Sequence, residues 1–383
     1  MDLGRTRHSS DIARARLTIG LDARAAAEDR AGRGRVTREL IAHLCGLDDG
    51  VQLVLYSRSR APVGGDGRGC TAVSLRAPPP LWHALVARDA SRRCDVFLST
   101  NSYITPLFLR IPTAILVYDL VSFAAFDVAH RRARLNERIT LGAALRRAAR
   151  AICISEATRA ELVERFPAAA SKAAVVPLAA GPPFGSELSP SALAAVRARY
   201  GVEGPFVLAL GTLEPRKNLP RLIEAFTALP PGLRDTHQLV LAGAAGWGMR
   251  GTRRALERHG SMVRALGWVP DEDLAALYQV CEAFCYPSLH EGFGLPVLEA
   301  MRSGAVVVAA RVPSLREVAG EAAIYVDPHD TADIRAGLEA ALGADGRPSE
   351  IGGRARERAA EFSWEDAARG VLRELDRCRE RAE

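Results

Sequence analysis

Two segments in the second half of this 383-residue chain carry side chains whose types and spacing could do chemistry. The first, Gly211-Thr-Leu-Glu-Pro-Arg216-Lys217-Asn218-Leu219, follows the aliphatic run Phe206–Leu210. A glycine opening a loop at a strand's end, two adjacent cations and then a helix N-terminus with free N–H groups make a site for a diphosphate. The lysine is informative, because the chain has 49 Arg and only two Lys. Its compact ammonium offers a point charge to one phosphate oxygen, while the guanidinium beside it can grip two. Taken alone, the loop also reads as an exposed turn with two surface charges.

The second segment is Pro287-Ser-Leu-His290-Glu291-Gly292-Phe293-Gly294-Leu295-Pro296-Val297-Leu298-Glu299-Ala300. Gly292 and Gly294 permit a tight turn whose backbone N–H groups can face a ligand. Glu291 in the turn and Glu299 in the helix beyond it could point into one cleft. There one would accept hydrogen bonds from sugar hydroxyls and the other from a ribose diol. Plainer readings make Glu299 a solvated helix residue and Glu291 a charge favoured by the helix dipole. A glycosidase would pair the two as acid and nucleophile, which leaves the Arg-Lys loop unexplained.

The elements that must position these residues are legible as alternation. Candidate strands are Leu17–Leu21, Val51–Tyr56, Val96–Ser99, Thr113–Tyr118 and Ala151–Ile154. A second series is Phe206–Leu210, Leu239–Ala242, Val263–Leu266, Ala283–Tyr286, Ala305–Ala309 and Ala322–Val326. Helical patterns lie between them, among them Arg35–Leu44, Arg131–Arg147, 219–228, 271–280 and 294–303. Alternation of this kind means parallel sheets with helices on both faces, and it occurs twice. The expected fold is α/β, two Rossmann-like doubly wound domains facing a central cleft. The expected bounds are a disordered lead-in over 1–16, a first domain over 17–185, a second over 186–362 and a last helix over 363–383. Pro177–Pro190, with four prolines and two glycines, reads as the linker. The glycines nearest the first strand, Gly32 and Gly34, lie too far downstream for a dinucleotide turn, and no P-loop occurs.

Composition narrows the class. The net charge of +6 is uneven: residues 1–185 hold 27 Lys+Arg against 17 Asp+Glu, and residues 186–383 hold 24 against 28. A basic half suits an acidic membrane face or an anionic acceptor. Its arginines are scattered without interleaved aromatics, so nucleic acid is not an expected partner. The first sixteen residues lack the apolar core of a secretory signal. The seven cysteines form no CxxC pair and are expected to be reduced thiols. The His, Cys and Asp residues lack metal-site spacing; Asp271-Glu-Asp273 opens a helix and is expected to cap it.

The run Phe206–Asp330 resembles the donor-binding domain of family 4 glycosyltransferases, a retaining group of the GT-B fold, close to bacterial mannosyl- and rhamnosyltransferases of surface polysaccharide assembly. The resemblance rests on Gly211 to Leu219, on Leu266-Gly-Trp-Val-Pro-Asp-Glu-Asp-Leu274 and on Glu291-x7-Glu299 with its Gly-Phe-Gly-Leu-Pro interior. It implies that Arg216 and Lys217 bind the donor diphosphate, with Gly211 opening their loop. Glu299 would hold the ribose, Glu291 would sit beside the transferred sugar, and the backbone of Gly292, Phe293, Gly294 and Leu295 would lie against sugar and phosphate. In the first half, Gly32-Arg-Gly34-Arg-Val-Thr-Arg-Glu-Leu resembles the family's cleft loop, with Gly34 nearest the donor, and Ile152-Cys-Ile-Ser155-Glu its Ser-Glu segment. Phe362-Ser-Trp364-Glu resembles the start of a helix that crosses back to the first domain.

One departure is Tyr118-Asp119, where relatives commonly read His-Asp. Either Tyr118 supplies an equivalent hydrogen bond, or the donor sugar or acceptor differs, or the chain binds a nucleotide sugar without turning it over. His290, where Tyr is frequent, is expected only to pack beside the turn. The resemblance implies transfer of a hexose from a nucleotide sugar, GDP-mannose type first and UDP-sugar next, to a glycan or lipid-linked acceptor. No cofactor and no metal are expected. A cytoplasmic site is expected, with peripheral contact at an acidic membrane.

Overall fold

Strands and helices alternate through both halves of the chain, and in each half the strands form one parallel sheet. The computed structural model describes residues 17–27, 32–47, 50–58, 69–123, 131–343 and 347–380. The lead-in expected over 1–16 lies outside them. The first half runs β1 (Leu17–Asp22), α1 (Gly32–Gly46), β2 (Val51–Ser57), β3 (Cys70–Ser74), α2 (Pro79–Arg93), β4 (Val96–Ser99), β5 (Thr113–Val117), α3 (Arg131–Arg147), β6 (Arg150–Cys153), α4 (Glu156–Arg165) and β7 (Ala173–Val175). Its sheet order is β3-β2-β1-β4-β5-β6-β7.

The second half opens with α5 (Pro190–Tyr200), β8 (Phe206–Leu210), α6 (Leu219–Thr227), α7 (Pro231–Arg234), β9 (Gln238–Ala242), α8 (Arg250–His259) and β10 (Val263–Gly267). It continues through α9 (Asp271–Val280), β11 (Ala283–Tyr286), α10 (Leu295–Arg302), β12 (Val307–Ala310), α11 (Pro313–Ala319) and β13 (Ile324–Val326) to α12 (Thr331–Leu342), α13 (Arg347–Ala360) and α14 (Trp364–Glu380). The order here is β10-β9-β8-β11-β12-β13. Each sheet grows outward from its first strand and then resumes on that strand's other side, at β1/β4 and at β8/β11. The reversal opens a crevice at the carboxyl ends of those central strands, the place where open α/β sheets take ligands.

Burial explains which strands were legible. β5 and β12 are buried at every residue, as strands covered by helices on both faces must be. The sequence reading missed β3 and β7. β3 is an edge strand with no fully buried residue, and β7 is three residues long and half-buried, so neither presents a hydrophobic run.

Between β7 and α5, residues 177–188 take no regular structure, but Leu178, Ala179, Ala180 and Phe184 are buried, so the segment is packed down rather than loose. Ser189 caps α5 by accepting the Ala192 N–H. α14 packs on α1, β4, β5 and β6 through buried Trp364, Val371, Leu375 and Cys378, and Arg150 of β6 pairs with its buried Glu374. The last helix thus sits on the first sheet.

The cysteine expectation needs correction. Cys45 near the end of α1 and Cys70 at the start of β3 form a disulfide, with Cα atoms 6.5 Å apart. The two are 25 residues apart, and only the β1-β2-β3 pairing brings them together. Among the described residues, Cys94, Cys153, Cys281, Cys285 and Cys378 form no disulfide.

Candidate active site

Both loops singled out in the sequence leave the switch-point strands of the second sheet. After β8, Pro215–Lys217 form one 3-10 turn and Asn218 takes a left-handed backbone at the start of α6. The Asn218 amide donates to the carbonyls of Pro287 (3.1 Å) and Pro328 (2.6 Å), which fixes this loop to the one after β11. Lys217 is buried; its ammonium donates to Glu291 Oε1 (2.8 Å) and to the Tyr286 hydroxyl (2.5 Å). The Arg216 guanidinium meets Glu291 Oε2 at 2.6 Å and Glu214 at 2.7 Å, and donates to the His290 carbonyl at 3.0 Å. Burial alone would raise the Glu291 pKa, but Arg216 and Lys217 outweigh it and hold the carboxyl well below the usual carboxylate range. Burial pulls the Lys217 ammonium below its ordinary value, against the opposing charge of Glu291. One carboxylate is thus clamped by two cations at the crevice mouth.

The turn after Glu291 is shaped by its glycines. Gly294 has φ 107°, a left-handed conformation, and its carbonyl accepts the first backbone bonds of α10. A Cβ on Gly292 would stand 1.8 Å from the Tyr118 carbonyl oxygen, so the turn lies directly against the first half. The Gly292 carbonyl accepts hydrogen bonds from the hydroxyls of Ser155 (2.5 Å) and Thr158 (2.9 Å), while Ser155 also caps α4. Glu317 of α11 accepts the N–H groups of Glu156 (2.8 Å) and Ala157 (3.1 Å) at the same helix end.

His290 does more than pack beside the turn: its Nε2 meets Glu161 of α4 at 3.0 Å. Burial lowers and Glu161 raises the His290 pKa, and the net shift is upward. The Glu161 shift is downward, where His290 and Arg165 overcome burial. A raised histidine contributes stability that is complete below its unfolded value near 6.5 and is lost as pH climbs through the folded value. The lowered carboxylate contributes above about 4.5 and fails on acidification. The Tm advantage of the native chain over His290→Gln should therefore be about 2 °C near pH 6 and shrink towards zero by pH 9, as read by melts across that range.

On the other side of the crevice, Glu299 is buried in α10, and burial pushes its carboxyl above its ordinary value against the opposing charge of Arg35. Arg35 reaches across from α1 and pairs with both Glu299 and Asp271, its Nε meeting Asp271 at 3.0 Å. The second Glu299 oxygen, Oε2, is buried without a hydrogen-bond partner. Asp271 opens α9 as expected, but neither carboxylate of the Asp-x-Asp pair caps it. Asp271 is drawn to Arg35, and Asp273 to Arg199 and the Tyr200 hydroxyl, because each has a cation within reach. Among the described residues, no group of three or more His, Cys, Asp or Glu could hold a metal ion.

A cavity of about 420 Å³ joins these parts. It brings together Tyr118, Asp119, Gly211, Arg216, Lys217, the turn Glu291 to Leu295, and Glu299. Gly34 is not in its wall: it is buried in the first turn of α1, while Gly32, Arg33 and Arg35 on either side face the cavity. Tyr118 is buried with its hydroxyl unpaired, burial pushes the phenol up to about 12, and the Arg33 guanidinium lies 5.3 Å from its ring. Asp119 accepts the Val121 N–H at 3.1 Å. Sequence reasoning did not single out Arg33, Arg35, Tyr286 or Trp268. Among 49 arginines nothing distinguishes the two on α1 except their place beside Gly34.

Residues 197–358 match the family described as Glycosyl transferases group 1. An O-antigen chain mannosyltransferase B from Escherichia coli is 36% identical over 224 residues, which cover 56% of this chain and 57% of that protein. The chain thus spans little more than half the length of this curated relative. Sucrose-phosphate synthase from Thermosynechococcus elongatus superposes with a TM-score of 0.74 at 21% identity, over 96% of this chain and all of that one. Anabaena HepE in complex with UDP-glucose superposes with a TM-score of 0.73 at 18% identity, over 94% of this chain and 99% of that one. These likenesses identify the architecture as GT-B.

Proposed function

We propose that this chain, whose residues 197–358 match the family described as Glycosyl transferases group 1, moves a hexose from a nucleotide sugar to a glycan or lipid-linked acceptor with retention of configuration. The observation that carries the reading is the clamp of Arg216 and Lys217 on Glu291 at the β8/β11 crevice, facing a buried Glu299 with one oxygen unsatisfied. A leaving diphosphate needs positive charge that is already in place, and buried Lys217 with half-buried Arg216 supplies it without reorganisation. Glu291 keeps both cations oriented and offers its oxygens to sugar hydroxyls. Glu299 Oε2 is a ready acceptor for a ribose hydroxyl, and Arg35 must yield its other oxygen for the diol to bind both. Trp268, 41% exposed in the wall of the same cavity, suits stacking by the base.

Attack from the face of the departing phosphate lets that phosphate take the acceptor's proton, which keeps the anomeric configuration. The clamp performs the charge neutralisation that a divalent ion would otherwise perform, so transfer is proposed to need no metal. Mannose is favoured as the sugar because the relative named above is a mannosyltransferase, with GDP-mannose first and a UDP-sugar next. Cytoplasmic action at a membrane face suits a lipid-linked acceptor.

A thermal-shift panel of GDP-, UDP- and dTDP-sugars tests the reading. The matching donor at a hundredfold excess over its Kd should stabilise the protein by about 2.7 kcal/mol. No shift with any of them would favour a relative that has lost the donor site, and a product of inverted anomeric configuration by NMR would overturn retention.

A further inference from the structure

The first half presents to the cavity a cation that the donor site leaves unused. Arg216 and Lys217 are held by Glu291, Arg35 by Glu299 and Asp271, and Arg38 donates to the Ala26 carbonyl at 3.1 Å. Arg33 lines the same cavity, yet it pairs with no carboxylate among the described residues. Its guanidinium has the Tyr118 ring at 5.3 Å. Burial lowers the Arg33 value, but the charge of Asp119, the Tyr103 phenol and the charge of Glu137 outweigh it, and the net shift is upward. Opposite charges thus stand close enough to act on one another without touching.

Two elements hold the carboxylates in place. Asp119 leaves the end of β5 and accepts the Val121 N–H at 3.1 Å, which occupies one of its oxygens. Arg138 of α3 donates to the Ser122 carbonyl at 2.8 Å and so ties α3 to the segment that follows Asp119. Glu137, the residue before Arg138, is half-buried, and burial raises its carboxyl above the ordinary value against the opposing charge of Arg33. Asp119 also faces the second half, because a Cβ on Gly292 would stand 3.0 Å from its own. It therefore lies between Arg33 and the turn that follows Glu291.

Gaps between a guanidinium and two carboxylates suit groups that accept on one side and donate on the other. A hydroxyl does both, whereas an ionised carboxylate or phosphate can only accept, and here it would meet two like charges for one opposite charge. A sugar ring presents several hydroxyls at once. Building on the sugar-transfer reading, we infer that Arg33, Asp119 and Glu137 form the subsite of an uncharged acceptor sugar, whose attacking hydroxyl is held at Asp119. Asp119 positions that hydroxyl and keeps no proton. The hydroxyl oxygen bonds to the anomeric carbon, the bond from that carbon to the donor phosphate breaks, and the proton passes to the departing phosphate oxygen.

The probes are the uncharged p-nitrophenyl mannoside, glucoside and galactoside and the acidic glucuronide, given to the full chain with the donor that produces a thermal shift. Transfer should favour an uncharged glycoside over the glucuronide. Arg33→Met should raise the KM for that glycoside about 10–100-fold, and Glu137→Gln, which keeps the side chain's shape, about tenfold. Asp119→Asn should act on kcat instead and lower it about 100-fold. The donor KM and the donor-induced thermal shift should stay native in Arg33→Met and Glu137→Gln, a split that a merely structural role would not produce. An acceptor KM unmoved by both of these variants would overturn the inference. So would a preference for the glucuronide that Arg33→Met abolishes, since Arg33 would then read an anion. Loss of the donor shift in Arg33→Met would overturn it too, by placing Arg33 in the donor site. Saturation-transfer NMR of the same glycosides without donor separates this subsite from the reading it builds on. Contact with an uncharged glycoside that both variants weaken, in a chain that shifts with no nucleotide sugar, would leave the subsite standing while sugar transfer fell. Saturation transfer to none of the uncharged glycosides would overturn the subsite.

Discussion

Lys217→Ala is expected to slow sugar transfer by about 100–1000-fold and to abolish the thermal shift given by the donor. The two cations of the clamp are not equivalent. Arg216 divides its guanidinium between Glu214 and Glu291, while the ammonium of Lys217 has Glu291 and the Tyr286 hydroxyl and no second carboxylate. Lys217 is therefore the cation with charge to spare for an incoming phosphate. Its removal costs the fold comparatively little: Glu291 keeps its bond to Arg216, and a buried ammonium that burial already disfavours is gone.

Lys217→Arg should restore no more than about a tenth of the rate, because a planar fork replaces a point charge where the lysine stem packs over Gly211 and its tip is fixed by Tyr286. Initial rates at saturating donor, with a melt to establish folding, decide the matter. A variant within threefold of the native rate would show the clamp to be a structural bridge between the β8 and β11 loops and nothing more.

How much of this was legible in the sequence depends on how local each feature is. Twelve-residue stretches such as Pro287–Leu298 announce themselves, because strand end, glycine turn and helix start follow one another directly. Buried central strands such as β5 and β8 were visible as aliphatic runs, whereas edge strands β3 and β7 were not, since an edge is only partly covered. The pairings across the crevice were invisible. Arg35 and Glu299 are 264 positions apart, Ser155 and Gly292 are 137 apart, and no spacing rule reaches that far. The disulfide was missed for the same reason, and Asp271 was assigned to helix capping because its helix was in view and its arginine was not. Tyr118 was noticed as a departure, but its setting, with the hydroxyl buried and Arg33 against the ring, depends on the turn from α1 that only the fold supplies.

That long-range closure leads to the second large effect. Gly292→Ala should leave each half folded yet reduce turnover by about 100-fold or more, because a Cβ at 292 would stand 1.8 Å from a backbone oxygen, that of Tyr118. A side chain could rotate away; a backbone carbonyl at the end of β5 cannot, since its strand is buried at every residue. The clash can be relieved only by moving the turn off the first half. Such a movement stretches the hydrogen bonds from Ser155 and Thr158 to the Gly292 carbonyl and carries Glu291, the next residue back, away from the cavity it lines together with Asp119. Donor binding should survive better than catalysis, because Arg216, Lys217 and Glu299 all belong to the second half and move together. The expected signature is a kcat loss that far exceeds the rise in donor KM, together with a larger radius of gyration in small-angle scattering and a melting temperature lowered by only a few degrees. Equal turnover in the variant would mean that the catalytic arrangement is more open than the closed crevice seen here, and that the contact between the turn and Tyr118 marks a resting state.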